Sequence, residues 1–543
     1  MKHESPEFWI ILGIVLSMGY ILAPVFVSGS VNDHSSIIAS KASAELEFGF
    51  STYLGGTGQD EMTEMAIDDN GDIYLAGSTW SRDFPTTEGA FDTSHNGGPD
   101  WEPTDCFVTK LSGDGQEIIY STYIGGSDQG EYVTGIAVDH EGNVYITGCT
   151  SSDNFPTTDG AFDRTYNGGE RDGFVAKLSA NGSELLYSTY VGGSNYDAPL
   201  AIAIDDDGNC YVVGYTESAD FPINTSNKQG SCHTLGSRQD GFVFKLCDDG
   251  SSLGYSMFLG GDGEYEKANA IAIDSEGNAI IIGDTKSSDF PLMHPIDDEL
   301  SGVSDGFIAK VYPNGSFMSS TYLGWSDVDG FKGLSISSSD KIVLTGLTRS
   351  EDFPRGVIAD QRLNGSIGFF LLVVDAQLTD IEFSCIINCD CLDTYTSIGS
   401  AIAFSEHEVW LSGTTEDEDF PVTEDALDMT MTKRMGYMTM IDPVSKTMNY
   451  STFFGGNSWD TLMGLAIDAS GSVYACGYTE SPDIPIKSAI QLSKRSSEHY
   501  SDGFVFSLIR EETLEPLPIL LVLAIGAGIG ILAVIVVVLK RKS

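Results

Sequence analysis

Positive charge is what this chain has least of. Its 543 residues hold 28 Lys and Arg against 79 Asp and Glu, a formal net charge of −51. A field of that sign repels phosphate, which argues against nucleic acid or an anionic membrane surface as the natural partner. Cysteine is also scarce: nine residues and no Cys-x-x-Cys pair; a few disulfides could form outside the cell, and Cys385, Cys389 and Cys391 are near enough in sequence to be candidates. The eight histidines show no His-Glu-x-x-His or other metal spacing, so signals for an enzyme are poor. Nor is apolar content lacking in the way of a disordered acidic tail, since 41% of the residues are hydrophobic and 10% aromatic. Glycine is abundant, 61 residues, and implies many tight turns.

Long apolar runs occur only at the two ends. Phe8 to Val27 follows Lys2 and precedes Ser28, Gly29 and Ser30, the pattern of an export signal, and is long enough to serve as an uncleaved anchor. Leu517 to Leu539 is uncharged and ends in Lys540, Arg541 and Lys542, a basic stop that places the preceding chain outside the cell. Gly526 and Gly530 form a small-xxx-small pair on which two such helices could meet. The division expected is therefore a signal or anchor (1–30), a linker (31–45), an ectodomain (46–510), a stem (511–516), a transmembrane helix (517–539) and a cytoplasmic tail (540–543). The protein is expected at the cell membrane, single-pass, and an exported chain makes the Asn-x-Ser/Thr sites at Asn181, Asn224, Asn314, Asn364 and Asn449 candidates for glycosylation.

Between these runs the chain repeats itself. Ser51-Thr52-Tyr53-Leu54-Gly55-Gly56 returns from Ser121 and Ser188, with weaker copies from Ser256, Ser320, Ser384 and Ser451, giving seven units of roughly 66 residues. In phase with it runs an Asp-x-x-Gly phrase, as in Asp139-His140-Glu141-Gly142, set between two apolar runs. That is a β-hairpin signature, the carboxylate opening the turn and glycine taking positive φ. A third phrase is Asp-Phe-Pro, as at Asp83-Phe84-Pro85, and a fourth is Asp172-Gly173-Phe174-Val175 with echoes at Asp105, Asp240, Asp305 and Asp502. Each unit then has four strands, A to D, and seven four-stranded units suggest an all-β, seven-bladed propeller. The first Ser-Thr-Tyr phrase precedes any A strand and the last unit stops after its C strand. Residues 46–55 are therefore expected to close the ring as the outer strand of blade 7, beside residues 463–510.

These phrases resemble the SBBP-type β-propeller repeats of secreted and cell-surface proteins, whose text looks like S-T-Y-L-G-G, D-x-x-G-N-x-Y-x-x-G and D-F-P-T. The resemblance implies a seven-bladed propeller and no particular activity. Units five and six depart from it: Ser337 to Asp340 and Ser405 to Glu408 lack the turn glycine, and Ile367 and Met435 replace the Asp before strand C.

Antiparallel connections alternate sides, so the D–A and B–C loops share one face and the A–B and C–D turns the other. The long B–C loops are the expected place for recognition. Phe-Pro is expected to be an aromatic wedge sealing adjacent blades. Past each Gly-Gly stands a carboxylate: Asp60, Glu131, Asp197, Glu266, Asp329, Asp393 and Asp460. Seven acids before seven innermost strands could ring the mouth of the axial channel and hold Ca²⁺, which prefers oxygen ligands; alternatively each accepts N–H groups in its own loop. The function expected is a cell-surface binding or adhesion module for a glycan or protein. An extracytoplasmic hydrolase or lyase acting through carboxylates at the channel mouth, and a structural envelope component, are the alternatives.

Overall fold

The computed structural model describes residues 46–97, 104–127, 130–224, 239–263, 265–354, 367–388, 399–405 and 408–510, with four short strands nearer the ends. Glu47–Ile509 form one compact unit of seven four-stranded antiparallel sheets. Blade 1 runs Asp60–Ile67, Ile73–Thr79, Asp105–Leu111 and Ile118–Ile124 as strands A to D, and blades 2 to 6 repeat that order. Blade 7 takes A, B and C from Asp460–Ile467, Val473–Thr479 and Asp502–Arg510, and its outer strand is Leu46–Leu54. The ring is thus closed by the segment expected to close it. Phe50 N donates to Ser507 Oγ at 3.3 Å and Ser51 N to the Lys487 carbonyl at 2.7 Å.

The remaining residues form a separate unit, in which Ile11–Leu12 pairs with Val25–Phe26 and Val522–Ile525 with Leu532–Ile535. No helix among the described residues is long and apolar enough to cross a membrane. The terminal helices expected from sequence, including Gly526 and Gly530, fall outside the described residues apart from those short strands.

Local chemistry explains why each unit folds alike. In blade 2 the Asp139 carboxylate accepts from Glu141 N and Asn143 N at 3.0 and 2.8 Å, while Gly142 takes φ +83°. Blade 5 lacks that glycine, and Asp340 adopts φ +59° in its place, since a short polar side chain tolerates the left-handed region. The turn aspartates then anchor the C-strand lysines: Lys110, Lys177, Lys245 and Lys310 lie 2.8–3.3 Å from Asp68, Asp139, Asp205 and Asp274.

Apolar cores straddle the blade boundaries. The Phe of each Asp-Phe-Pro phrase is buried in one: Phe155 lies among blade 1 and 2 residues and Phe221 among those of blades 2 and 3. Phe221 stacks on Phe242 with ring centroids 4.5 Å apart. The Asp of the phrase reaches back to the preceding D–A loop, Thr57 N donating to Asp83 Oδ1 at 2.8 Å and Ser194 N to Asp220 Oδ1 at 2.9 Å. The D–A and B–C loops therefore share one face.

Every A strand bulges by one residue, at positions 63, 134, 200, 269, 332, 400 and 463. Three bulge side chains bridge to the next blade. Thr63 Oγ1 donates to the Val133 carbonyl at 3.2 Å, Thr134 Oγ1 to Pro199 at 2.8 Å and Asn269 Nδ2 to Phe331 at 2.7 Å. Together the seven strands line the axial channel, whose polar side chains include Glu64, Thr134, Asn269 and Lys332.

Candidate functional site

The carboxylates singled out by the repeat are at the loop-face ends of the A strands, and their side chains turn into their own blades. Asp60, Glu131, Asp197, Glu266, Asp329 and Asp460 are all 0% exposed; Asp393 lies outside the described residues. Asp197 shows the arrangement. Its Oδ2 accepts from Gly193 N at 2.7 Å and Ser218 Oγ at 2.9 Å, and its Oδ1 from Thr216 Oγ1. Asp60 and Asp460 repeat this with Thr79, Ser81 and Gly56, and with Thr479, Ser481 and Gly456. The Thr-x-Ser phrase after strand B is thus the partner of the acid before strand A, and the two form a clasp that ties the loops of one blade.

Burial pushes these acids up: Asp60, Glu131 and Glu266 to about 7, Asp197 and Asp460 to about 6, with the bonded hydroxyls and amides pulling the other way. A second carboxylate adds to the rise across blade boundaries, Asp502 for Asp60 and Asp105 for Glu131. The first glycine of Gly-Gly is required here. A Cβ on Gly192 would lie 2.9 Å from Asp197 Oδ2 and 3.0 Å from Asp172 Oδ1. For Ca²⁺, the donors are split among separate blades and engaged with hydroxyls and amides, and no cluster of three or more metal-ligating side chains occurs among the described residues.

A different set of residues flanks the clasps, and sequence reasoning missed it. The positions beside each clasp acid, inside Thr-x-Ser and just before strand C differ from blade to blade, while the clasp recurs. In blades 1 to 4 they hold two runs of aromatic and cationic side chains at the loop-face ends of the A strands. Trp80 meets Tyr132 with ring centroids 6.4 Å apart, and the Arg171 guanidinium lies 4.4 Å from the Tyr132 centroid. Arg171 also reaches Cys149 Sγ at 3.9 Å; in the second run Tyr196 stacks on Tyr215 at 5.9 Å. Lys267 Nζ then sits 4.2 Å over Tyr215 and 5.0 Å over Tyr265, and Lys286 Nζ lies 4.9 Å over Tyr265. Cation–aromatic contacts of this length are attractive. The signal that could have found this arc is the variation itself: positions that break an otherwise regular repeat beside its most regular element.

Within the channel Glu64 is half-buried and crowding pushes its carboxyl up to about 8. A Gly-x-Ser-x-Gly spacing occurs at Gly302 to Gly306; it is not a nucleophile elbow, because Ser304 is buried beside a strand and donates to the Thr285 carbonyl at 3.3 Å. Of the glycosylation candidates, Asn181, Asn224, Asn314 and Asn449 are exposed and Asn364 lies outside the described residues. Cys106, Cys149, Cys210, Cys247, Cys385 and Cys476 are free thiols; Cys389 and Cys391 are not among the described residues.

Three segments, residues 49–85, 119–156 and 186–222, match the SBBP beta-propeller repeat family. No curated protein matches the chain. Among solved structures, a protein of unknown function from Dyadobacter fermentans is 12% identical over 69% of this chain and 96% of its own, with a TM-score of 0.38. Sqt1 from Chaetomium thermophilum is 12% identical over 79% and 83%, TM-score 0.39. Quinohemoprotein alcohol dehydrogenase from Comamonas testosteroni is 10% identical over 90% and 80%, TM-score 0.38. The chain is a seven-bladed, all-β propeller that carries SBBP beta-propeller repeats.

Proposed function

We propose that this propeller is the outward-facing binding or adhesion module of a single-pass membrane protein, and that its ligand, a glycan or a surface protein, lands on the loop-face mouth. One observation carries the reading: a recurring clasp holds the loops rigid while the side chains around it vary and, over four blades, form an aromatic and cationic arc. A rigid scaffold with diversified loop-face positions is how binding surfaces are built. The outward placement and the anchor rest on the two apolar runs and the basic tail. The test is a glycan and surface-protein binding screen with the full chain in detergent. A ligand whose affinity falls on substitution at Trp80, Tyr132 or Lys267 supports the reading; a ligand indifferent to all three, or none at all, refutes it.

The hydrolase or lyase reading draws on Glu64, a channel carboxyl raised to about 8 and so suited to hold a proton at neutral pH. Its test is turnover of a bound glycan by wild-type chain and by Glu64→Gln. Turnover lost in the variant favours an enzyme, and binding without turnover in both favours the module.

A further inference from the structure

The mouth also indicates the class of ligand, an inference that rests on the binding reading above. In a chain of net charge −51 a cation easily finds a carboxylate, and the four C-strand lysines do so on the opposite face. Arg171, Lys267 and Lys286 do not: among the described residues none of the three forms an ion pair, and each is set against tyrosine rings instead. The acids nearby are engaged elsewhere. Asp284 accepts from Phe331 N at 2.8 Å, from Asn269 at 3.0 Å and from Lys332 at 3.4 Å, and Glu217 accepts from Gln239 Nε2 at 3.4 Å. Burial and the neighbouring Lys332 charge hold Lys267 below the usual lysine range, although Asp284 and Glu217 act against them from farther off than an ion pair. Charges partly withdrawn from water favour a close counter-charge, and no carboxylate among the described residues lies within ion-pair distance of these three.

The uncharged part of the ligand meets half-buried rings at Trp80, Tyr132, Tyr196 and Tyr265. The apolar face of a pyranose suits such platforms, with the ring as apolar body and the polar edge left to water. A peptide would look for backbone partners, and the loop amides here already have them: Gly58 N donates to Ser81 and Asn195 N to Ser218, both at 2.8 Å.

We propose that the loop-face mouth over blades 1 to 4 binds a linear carboxylated glycan, a polyuronate, with Arg171, Lys267 and Lys286 taking sugar carboxylates and the rings between them taking pyranose faces. The chain's negative field opposes a polyanion, as it opposes nucleic acid, everywhere except where these three cations offset it locally, which confines binding to this arc.

The test is calorimetric titration of the full chain with oligogalacturonate, its methyl ester and polyglutamate. Oligogalacturonate is expected to bind, the ester to bind more weakly by about tenfold or more, the worth of a charge-assisted contact, and polyglutamate not to bind. Lys286→Gln, at an exposed position, and Lys267→Gln are each expected to weaken oligogalacturonate by about tenfold with the thermal midpoint unchanged. Equal affinity for the ester, equal affinity for polyglutamate, or lysine variants that bind as wild type overturn the inference. Failure of oligogalacturonate while another glycan or a surface protein binds at the mouth overturns it and leaves the binding module standing; failure of every ligand overturns both.

Discussion

Raising the pH from about 5 to about 8 weakens the ring, and Asp197 shows why. Its carboxyl is sealed in the clasp with Gly193, Thr216 and Ser218, and burial pushes it up to about 6 from an ordinary 3.8. A group raised in the folded state contributes its stability in full below the unfolded value and loses it as pH climbs through the folded one, here between about 4 and about 6. A gap of roughly two units at ~1.36 kcal/mol each corresponds to about 3 kcal/mol. Asp60, Glu131, Glu266 and Asp460 shift in the same direction. The turn aspartates Asp68, Asp139, Asp205, Asp274 and Asp468 are lowered, by backbone and side-chain hydrogen bonds and, in the first four, the C-strand lysines, outweighing burial; their contribution is lost only on acidification below about 4. Glu64, Asp172 and Asp305 are raised into the same window, so between about pH 5 and 8 the clasps and these buried acids together set a slope of one sign. Urea unfolding of the full chain, followed by circular dichroism, is expected to give a higher midpoint near pH 5 than near pH 8. Asp197→Asn keeps the shape without the charge and should gain about 1.4 kcal/mol at pH 8 relative to pH 5, the part of the span that lies above pH 5. Asp159→Asn makes the same change in net charge at a side chain 96% exposed, paired there with Arg164, and is expected not to reproduce that gain. A midpoint flat or rising from pH 5 to 8, or two variants that behave alike, refutes the reasoning.

Other substitutions probe the packing. Phe221→Ala empties the apolar core between blades 2 and 3 and is expected to cost about 3–5 kcal/mol in urea unfolding; a loss under about 1 kcal/mol would mean the Asp-Phe-Pro wedge is not sealing that boundary. Gly192→Ala forces a Cβ between Asp197 and Asp172 and should cost about 1–3 kcal/mol, whereas a neutral result would contradict the close approach. Deleting residues 46–54 uncovers the edge of Asp502–Arg510 and is expected to produce aggregation on size-exclusion chromatography; a monomer of unchanged thermal midpoint would sink the closure by that strand.

The ring was legible because its signals are local and repeated seven times. Asp-x-x-Gly fixes a turn by its own hydrogen bonds, and the orphan Ser-Thr-Tyr phrase at Ser51 could belong only to a blade completed from the other end. Where units five and six break the pattern the fold persists, because Asp340 substitutes for glycine in the turn and Gly368 still begins strand C. The A-strand bulges were not legible: they depend on how seven strands crowd an axis, and nothing in one unit announces them. The clasp acids were found, with acceptance of in-loop N–H groups as one of two readings, but their hydroxyl partners were not, since the Thr-x-Ser hydroxyls that donate to them lie about twenty residues on and across a hairpin. The arc of Trp80, Tyr132, Arg171, Tyr215 and Lys267 was invisible for a related reason. Its members lie far apart along the chain and are neighbours only once the ring is built.

Amide hydrogen exchange of the full chain with and without saturating oligogalacturonate tests the central claim most directly. The account predicts slowed exchange in the D–A and B–C loop peptides that contain Trp80, Tyr132, Arg171, Tyr196 and Lys267, with the A–B turns at Asp139 and Asp205 unchanged. Protection at those turns instead, or none on the loop face while ligand is bound, would contradict it.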